Sequence, residues 1–200
     1  SVIALNLETG EENWVFQALE NDMWNFSCSA AGPNCIILAD TNSVDFDFGG
    51  PAILVEADDR ELLIAGQKSG DLWALDPVTG EVVWNQRVGE GTALGDQRSD
   101  RLRRCESLYG FSATPLSVDG AVITAGLDGR LFIFDSDTGE QLFKYDTVTD
   151  FETVNGVEGY GGSIDSHSIA AGSGMVFVGS GYGSFSQVAG NVLLAFKPAE

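Results

Sequence analysis

Residues 74–84, ALDPVTGEVVW, are the stretch on which the fold prediction rests. A version of the same stretch lies at residues 4–14 (ALNLETGEENW). Another lies at residues 133–143 (IFDSDTGEQLF), with Phe where the other two have Trp, and a shortened form (AFKP) lies at residues 195–198. Recurrence of one unit along a chain is typical of repeat architectures. The chain is therefore predicted to consist of repeated structural units.

Short segments of alternating apolar and polar residues surround each copy, and Gly-containing turn signals separate them. This pattern predicts antiparallel strands, named A to D within each unit. One unit has strands at 51–57, 61–67, 71–76 and 82–88, and the next has them at 112–118, 121–126, 130–135 and 141–146. The chain opens with C and D strands at 2–6 and 12–17 and ends with A, B and C strands at 163–171, 175–180 and 191–196.

Four strands per unit, with a long link into the next unit, are typical of β-propeller blades. The predicted fold class is all-β: a partial β-propeller of four-stranded antiparallel blades, with two whole and two incomplete blades. No stretch longer than about ten residues keeps the 3.6-residue period of a helix.

The residue types of the repeated stretch can each be explained by their place in this fold. A small Ala ends strand C where sheets pack together, and Asp or Asn with Thr-Gly forms the following tight turn. Trp14 and Trp84 start strand D, and each is predicted to lie between neighbouring blades and to bury a large apolar area. Phe143 keeps the apolar ring but lacks the indole N–H donor, so its junction is expected to be weaker.

Composition excludes several classes of function. The chain has 30 acidic residues against 10 Lys plus Arg, a net charge of -20, which argues against nucleic acid and anionic membranes as partners. No apolar run approaches the roughly 20 residues of a membrane-spanning helix. A hydrophobic content of 44% is sufficient for a sizeable core.

The cysteines suggest an oxidising compartment. Cys28 and Cys35 close a short loop, which suits a local disulfide, and Cys105 is left over. With one His and no CxxC spacing, a zinc site is not expected.

The repeated stretch resembles the tryptophan-docking motif of the eight-bladed quinoprotein (PQQ) dehydrogenases. Residues 151–198, and residues 25–55 followed by 62–77, resemble polyvinyl-alcohol-dehydrogenase-like members of that family. The resemblance implies a periplasmic alcohol dehydrogenase that holds PQQ with Ca²⁺ and passes electrons to cytochrome c or a quinone. Polymeric and secondary alcohols are among the implied substrates.

The same resemblance implies that residues 1–200 are the C-terminal part of a single propeller domain of eight blades. The remaining blades, the principal catalytic Asp and the main Ca²⁺ ligands are then expected upstream of Ser1.

Lys68, in the turn GQKSG, matches the family's basic residue that faces the quinone carbonyls. An ammonium there stabilises negative charge on oxygen during hydride transfer. On spacing alone, a solvated turn lysine is the alternative. Asp45 and Asp47, in VDFDFGG, share one face of an extended segment and resemble the family's acidic pair near the cofactor. A carboxylate there takes the alcohol proton or helps to hold Ca²⁺; a surface Asp pair is the alternative.

Further cofactor-contact candidates come from the last blade and from the 25–55 region. Ser163, Asp165 and His167 alternate along the predicted A strand, so one shared face is expected to look towards the propeller axis. A structural, hydrogen-bonded role is the alternative for His167. Trp24 is expected to wall the active-site entrance, with core packing as the alternative.

A different functional class remains open. PQQ-like propellers also serve as non-catalytic scaffolds for protein–protein interaction, as in outer-membrane assembly lipoproteins. Lys68 together with Asp45 and Asp47 favours the enzyme, because a scaffold does not need these charges directed at the axis.

The expected upstream position of the catalytic Asp gives a first prediction. The 200-residue chain alone, supplied with PQQ and Ca²⁺, should not retain PQQ tightly and should not oxidise alcohols in a dye-linked assay. Measurable turnover by this chain would refute the expectation.

Overall fold

The computed structural model describes residues 1–20, 46–88, 110–184 and 187–198. Apart from a 3₁₀ turn at Ser184, the regular structure in these residues is β, and no α-helix occurs among them. The first sheet is a hairpin of β1 (Val2–Leu5) and β2 (Glu12–Phe16). The second sheet contains β3 (Ile53–Ala57), β4 (Arg60–Gly66), β5 (Asp71–Leu75) and β6 (Val82–Arg87).

The third sheet contains β7 (Leu116–Val118), β8 (Ala121–Ala125), β9 (Arg130–Asp135) and β10 (Gln141–Asp146). A hairpin of β11 (Asp150–Glu152) and β12 (Glu158–Tyr160) follows. The last sheet contains β13 (Ile169–Gly172), β14 (Met175–Ser180) and β15 (Val192–Phe196).

Each sheet is a simple antiparallel meander, because every strand pairs with its neighbours along the chain. The described strands make two four-stranded blades, a two-stranded C–D sheet before them and a three-stranded sheet after them. The prediction of a partial β-propeller with four-stranded antiparallel blades is therefore confirmed. The C–D turns of all three repeats carry a register irregularity, which falls next to Ala4, Ala74 and Phe143.

Two differences from the predicted strands concern the links between blades. The A strands expected from residues 112 and 163 begin at Leu116 and Ile169. The preceding residues divide their hydrogen bonds between two blades: Phe111 forms an isolated bridge with Gly126 of its own sheet, and its N–H donates to the Gln67 carbonyl oxygen of the neighbouring blade. The short hairpin β11–β12 was not predicted.

The core lies between successive blades. One cluster joins the second and third sheets and includes Leu62, Ile64, Leu72, Phe132 and Phe134, all at 2% exposure or less. The other joins the third and last sheets, with Ile123, Leu131, Ile164 and Val178 at its centre. Each blade therefore depends on its neighbour to bury one apolar face.

The tryptophans dock as predicted. Trp84 is 8% exposed, and its indole N–H donates to the carbonyl oxygen of Ser136 in the next blade at 3.1 Å. Trp14 donates in the same way to the carbonyl oxygen of Pro77, also at 3.1 Å. The prediction that these rings lie between blades is confirmed.

Each docking site is a C–D turn with a fixed hydrogen-bond pattern. The Asp76 carboxylate accepts the backbone N–H groups of Val78 and Thr79. These bonds, chiefly the one from Thr79, lower the pKa of Asp76 below its usual range. In the third sheet, the backbone and hydroxyl donors of Thr138 lower the pKa of Asp135.

The equivalent turn of the first sheet uses an amide instead of a carboxylate. The Asn6 side-chain oxygen accepts the N–H groups of Glu8 and Thr9, both at 2.9 Å. The turn therefore requires an acceptor oxygen at this position and does not require a charge.

Phe143 lies at the junction of the last two blades. Its ring contacts Phe196 edge-on with the centroids 6.5 Å apart, and the side chain stays 38% exposed. Trp84, in contrast, packs on the buried Gly139 of the next turn. The weaker junction expected at Phe143 remains a prediction.

The contact between Trp84 and Gly139 can be tested by adding one methyl group. A Cβ on Gly139 would lie 2.8 Å from the indole ring, and its φ of +73° is unfavourable for Ala. Gly10 has the same turn and a φ of +74°, but nothing lies within 4 Å of an added Cβ. Gly10→Ala therefore carries only the backbone cost, about 1–2 kcal/mol. Gly139→Ala should lower the free energy of unfolding by roughly a further 1–3 kcal/mol because of overpacking.

Urea unfolding of both variants measures this difference. Equal losses for Gly10→Ala and Gly139→Ala would contradict the docking contact.

The lowered pKa values of Asp76 and Asp135 predict a loss of stability in acid. A carboxylate with a depressed folded pKa contributes stability above its unfolded pKa of about 3.9, and this stability is lost as the pH falls through the folded pKa. In the double variant Asp76→Asn/Asp135→Asn, the turns should persist because Asn6 already makes the same bonds. The free energy of unfolding, measured with urea from neutral pH into this acid range, should then fall less steeply than in the wild type. If the free energy of unfolding falls equally steeply with pH in both proteins, these two carboxylates are not responsible for the loss of stability in acid.

Candidate functional site

The turns of each sheet divide between its two ends. Because neighbouring strands are antiparallel, the B–C turn lies at the same end as the segment that leads into strand A. The A–B and C–D turns lie at the opposite end. We call the end that carries the B–C turn and the segment leading into strand A the B–C end. Lys68, in the β4–β5 turn, lies at the B–C end, whereas the tryptophan-docking turns lie at the other end.

At the B–C end of the second sheet, Lys68 and Asp47 meet. The Lys68 ammonium Nζ lies 3.0 Å from Asp47 Oδ2. The Lys68 backbone N–H also donates to the Asp47 carbonyl oxygen at 2.9 Å. The side chains are 28% and 57% exposed, so the pair is accessible to a small molecule from solvent. The structure therefore brings together two of the predicted site residues.

The residues on either side of Lys68 are buried and polar. Gln67 is 3% exposed and Ser69 is 4% exposed. The Gln67 side-chain Nε2 donates to the carbonyl oxygen of Phe46 at 2.9 Å, next to Asp47. The Ser69 hydroxyl lies 2.8 Å from Gln67 Oε1 and 2.7 Å from Asp71 Oδ2. The turn is thus anchored on both sides of a partly exposed ammonium.

The network continues into strands β5 and β6. Asp71 Oδ2 accepts a bond from Arg87 Nη1 at 3.3 Å, and Asp71 itself is 7% exposed. The Arg87 side chain is 54% exposed, so this ion pair reaches the surface. Asn85 Nδ2 donates to the Leu72 carbonyl oxygen at 3.2 Å. The bonds from Ser69 and Arg87, with a longer one of 3.5 Å from Asn85 Nδ2 to Asp71 Oδ1, satisfy a carboxylate that burial alone would destabilise.

The B–C turn of the third sheet has the same backbone pattern with different side chains. The Leu127 N–H donates to the Gly110 carbonyl oxygen, as the Lys68 N–H donates to that of Asp47. Leu127 therefore occupies the position equivalent to Lys68, and it is 6% exposed within the core. The turn geometry does not require a lysine. The structure of the turn therefore does not explain why residue 68 is a lysine.

Asp128, two residues before strand β9, is a site candidate that the sequence analysis missed. Burial raises its pKa above the usual range, although the Arg130 backbone N–H and guanidinium act in the opposite direction. Arg130 Nη1 lies 3.1 Å from Asp128 Oδ2. Asp128 lines a small cleft together with Gly70, Gly110 and Phe111. In the sequence it was recognisable only as part of an Asp-Gly turn.

The prediction for Ser163, Asp165 and His167 was wrong in its geometry. Strand β13 begins only at Ile169, and Ser166 has a φ of +54° in a turn. This turn breaks the alternation, so the three side chains do not share a strand face. His167 is exposed, whereas Ser163 is fully buried and Asp165 is 9% exposed.

Ser163 and Asp165 serve local structure at the B–C end. The Ser163 hydroxyl donates to the Leu127 carbonyl oxygen at 2.5 Å and accepts the Val188 N–H at 3.0 Å. Asp165 accepts the Ser166 N–H at 2.6 Å and a weaker bond from Gln187 at 3.4 Å. These contacts tie the segment leading into β13 to the preceding turn and to residues 187–188.

Several predictions fall outside the described residues: the positions of Trp24 and Asp45, the disulfide between Cys28 and Cys35, and the partner of Cys105. Among the residues that are described, no group of three or more His, Cys, Asp or Glu side chains is arranged to hold a metal ion. The described part of the chain also contains no helix long and apolar enough to cross a membrane.

The blade meander and the indole clamps define the class of protein, a PQQ-like β-propeller. A family model described as outer membrane protein assembly factor BamB matches residues 1–184. The chain belongs to this family.

Two curated relatives are polyvinylalcohol dehydrogenases. The protein of Sphingopyxis sp. (strain 113P3) is 27% identical over 258 residues, covering 98% of this chain and 39% of the relative. The protein of Pseudomonas sp. is 29% identical over 254 residues, with the same coverage of 98% and 39%. This chain therefore spans about two fifths of the length of these relatives. The outer membrane protein assembly factor BamB of Vibrio cholerae is 30% identical over 110 residues, 52% of this chain and 26% of the relative.

Solved structures support the fold. BamB from Moraxella catarrhalis superposes with a TM-score of 0.50 and 20% identity, covering 98% of this chain and 39% of that protein. A europium-containing methanol dehydrogenase superposes with a TM-score of 0.51 and 13% identity, covering 98% and 36%. At such identities the likeness concerns the fold alone.

Proposed function

We propose that residues 1–200 form part of a periplasmic PQQ-dependent alcohol dehydrogenase and supply Lys68 and Asp47 to its cofactor-facing end. The single observation that supports this most is the ion pair between Lys68 Nζ and Asp47 Oδ2, 3.0 Å long and partly open to solvent. An enzyme that oxidises alcohols needs a cation near the quinone oxygen and a base near the alcohol. The polyvinylalcohol dehydrogenase relatives, aligned over 98% of this chain, favour the same activity.

The residues at the B–C end fit an anionic quinone cofactor. Lys68 presents an ammonium where the equivalent turn of the third sheet has the buried Leu127. The neighbouring Gln67 and Ser69 are turned inward, so the ammonium is the group of this turn that faces solvent. A cation at this place in a chain with a net charge of -20 is suited to an anionic ligand.

PQQ, when bound, supplies the two-electron acceptor for oxidation of the alcohol. In this proposal, the Lys68 ammonium donates a hydrogen bond to the quinone oxygen on which negative charge develops. The Asp47 carboxylate, 57% exposed, accepts the hydroxyl proton of the alcohol. The contact between the two side chains, 3.0 Å between Lys68 Nζ and Asp47 Oδ2, keeps the cation and the carboxylate side by side.

The proposal extends to the remaining predicted residues. Asp45 is assigned to the same acidic pair as Asp47. Trp24 is assigned to the active-site entrance, and Asp165 and His167 are assigned to the cofactor's surroundings at the last blade. We further propose Ca²⁺ as the accompanying metal ion, and cytochrome c or a quinone as the electron acceptor.

A second function is a non-catalytic scaffold that binds other proteins. The observation in its favour is the match of residues 1–184 to a family described as outer membrane protein assembly factor BamB. In a scaffold, the ion pair of Lys68 and Asp47 is a local brace between a turn and its lead-in segment. Loss of Lys68 would then have little effect beyond that of any exposed ion pair, about 0–1 kcal/mol.

The decisive experiment compares Lys68→Met with Arg60→Met in the full-length gene product that contains these 200 residues. Both variants remove one positive charge and one partly exposed ion pair, since Arg60 pairs with Asp137 at 2.9 Å at the opposite end of the sheets. After reconstitution with PQQ and Ca²⁺, dye-linked oxidation of alcohols is measured. Lys68→Met should lower kcat by about 10²–10³-fold, the usual effect of removing a donor to a developing oxyanion. Arg60→Met should stay close to the wild type.

Two outcomes contradict the enzyme proposal. The first is a wild-type protein that folds but shows no PQQ-dependent oxidation of any alcohol offered, which favours the scaffold. The second is a Lys68→Met variant as active as Arg60→Met, which removes Lys68 from the chemistry. Asp47→Asn completes the set and should lose activity while still folding.

A further inference from the structure

Gln67 connects the segment that carries Asp47 to the turn that carries Lys68. Its Nε2 donates to the Phe46 carbonyl oxygen at 2.9 Å, one residue before Asp47. Its own carbonyl oxygen accepts the N–H of Phe111, which leads into the next blade. At 3% exposure, its carboxamide is almost completely removed from water. One buried side chain with its backbone thus holds three segments of the chain together.

The opposite side of the Gln67 carboxamide is also fixed. Its Oε1 accepts bonds from the Ser69 hydroxyl at 2.8 Å and from the Trp73 indole N–H at 3.4 Å. The Ser69 hydroxyl carries one proton and also lies 2.7 Å from Asp71 Oδ2, so the two acceptors share it. The hydrogen bond from Gln67 Nε2 to the Phe46 carbonyl oxygen, in contrast, does not depend on a shared proton.

The third sheet shows that this arrangement is not needed to form the turn. Gly126 stands at the position of Gln67, since the Gly129 N–H donates to Gly126 as the Gly70 N–H donates to Gln67. The following Leu127 is a buried apolar residue there, at 6% exposure. The buried carboxamide thus occurs in the turn with the partly exposed ammonium, whereas the turn with the buried apolar side chain has a glycine. This difference between the two turns indicates that Gln67 positions Lys68.

We propose that Gln67 is a positioning residue: its bond to the Phe46 carbonyl oxygen sets the Asp47 carboxylate against the Lys68 ammonium. The purpose of this placement, orienting acid and base for alcohol oxidation, rests on the proposed function. The placement itself is a property of the folded chain and can be tested without any activity.

Competitive labelling of lysines tests the placement. The chain contains three lysines, Lys68, Lys144 and Lys197, so trace acetylation followed by mass spectrometry reports on all of them in one sample. In Gln67→Met, which keeps the length but loses the donor, Lys68 should be acetylated about two- to fivefold faster. This is the range expected for loosening one partly exposed ion pair. Lys144 and Lys197 should react as before.

A double-mutant comparison separates positioning from general loosening. Asp47→Asn should accelerate acetylation of Lys68 in the wild type but should add little in the Gln67→Met background, because the pair is already separated. Ser69→Ala is the matched control, since it removes the shared hydroxyl and leaves the bond from Gln67 to Phe46 in place. It should leave Lys68 labelling unchanged.

Equal effects of Asp47→Asn in the wild type and in Gln67→Met would overturn the proposal, as would an absence of any effect of Asp47→Asn in the wild type. If Gln67→Met does not fold, Gln67→Leu replaces it, because it also lacks a donor and has an apolar side chain of similar size. Hydrogen exchange at the Lys68 and Leu127 amides gives a second readout. Exchange should rise at Lys68 in the Gln67 variant and stay unchanged at Leu127.

The activity assay then distinguishes the two proposals. In an active enzyme, Gln67→Met should lower kcat more than it raises KM, since it misplaces reacting groups without removing them. A wild-type protein without activity but with the expected labelling pattern would refute the proposed function and leave the placement by Gln67 intact. An active wild-type protein together with unaltered Lys68 labelling in Gln67→Met would support the proposed function and refute the placement by Gln67.

Discussion

The fold depends on the indole clamp between blades. Trp84 buries its ring on Gly139 and donates its N–H to the Ser136 carbonyl oxygen, so one side chain satisfies both packing and hydrogen bonding across the gap. A propeller blade cannot bury both of its faces alone, and the contact between blades supplies the missing core. The Arg60–Asp137 ion pair adds a polar contact between the same two blades, at the same end.

The indole clamps lie at one end of the sheets, and the side chains at the opposite end differ from blade to blade. The β4–β5 and β8–β9 turns share their backbone hydrogen bonds, yet one presents Lys68 and the other buries Leu127. Lead-in segments lie between these turns, and each lead-in segment contributes carbonyl oxygens and side chains to the turn beside it. Side chains that meet at this end, such as Lys68 and Asp47, therefore come from segments that are distant along the chain, whereas the indole clamps lie at the other end.

Much of this fold was predictable because its signals are local. Strand alternation, turn residues and the repeated stretch depend on neighbours within about ten residues, and the strands were found almost everywhere they were expected. The A strands were misplaced at their starts because residues 110–115 and 161–168 divide their hydrogen bonds between their own blade and a neighbouring blade. The alternation of Ser163, Asp165 and His167 does not form a strand, because one residue, Ser166 with a φ of +54°, ends the period of two. Alternation favours a strand but does not guarantee one.

The sequence by itself determined the repeat, the blade order and the residues that clamp the blades, since these follow from local spacing and from the size and polarity of side chains. It also singled out Lys68 and Asp47 separately. Only the tertiary structure decided that these two residues, 21 positions apart, form an ion pair, and that buried Gln67 stands between their segments. The physical reason is that contacts between a turn and a lead-in segment depend on the path of the intervening chain and on the packing of the next blade, and neither leaves a periodic signal in the sequence.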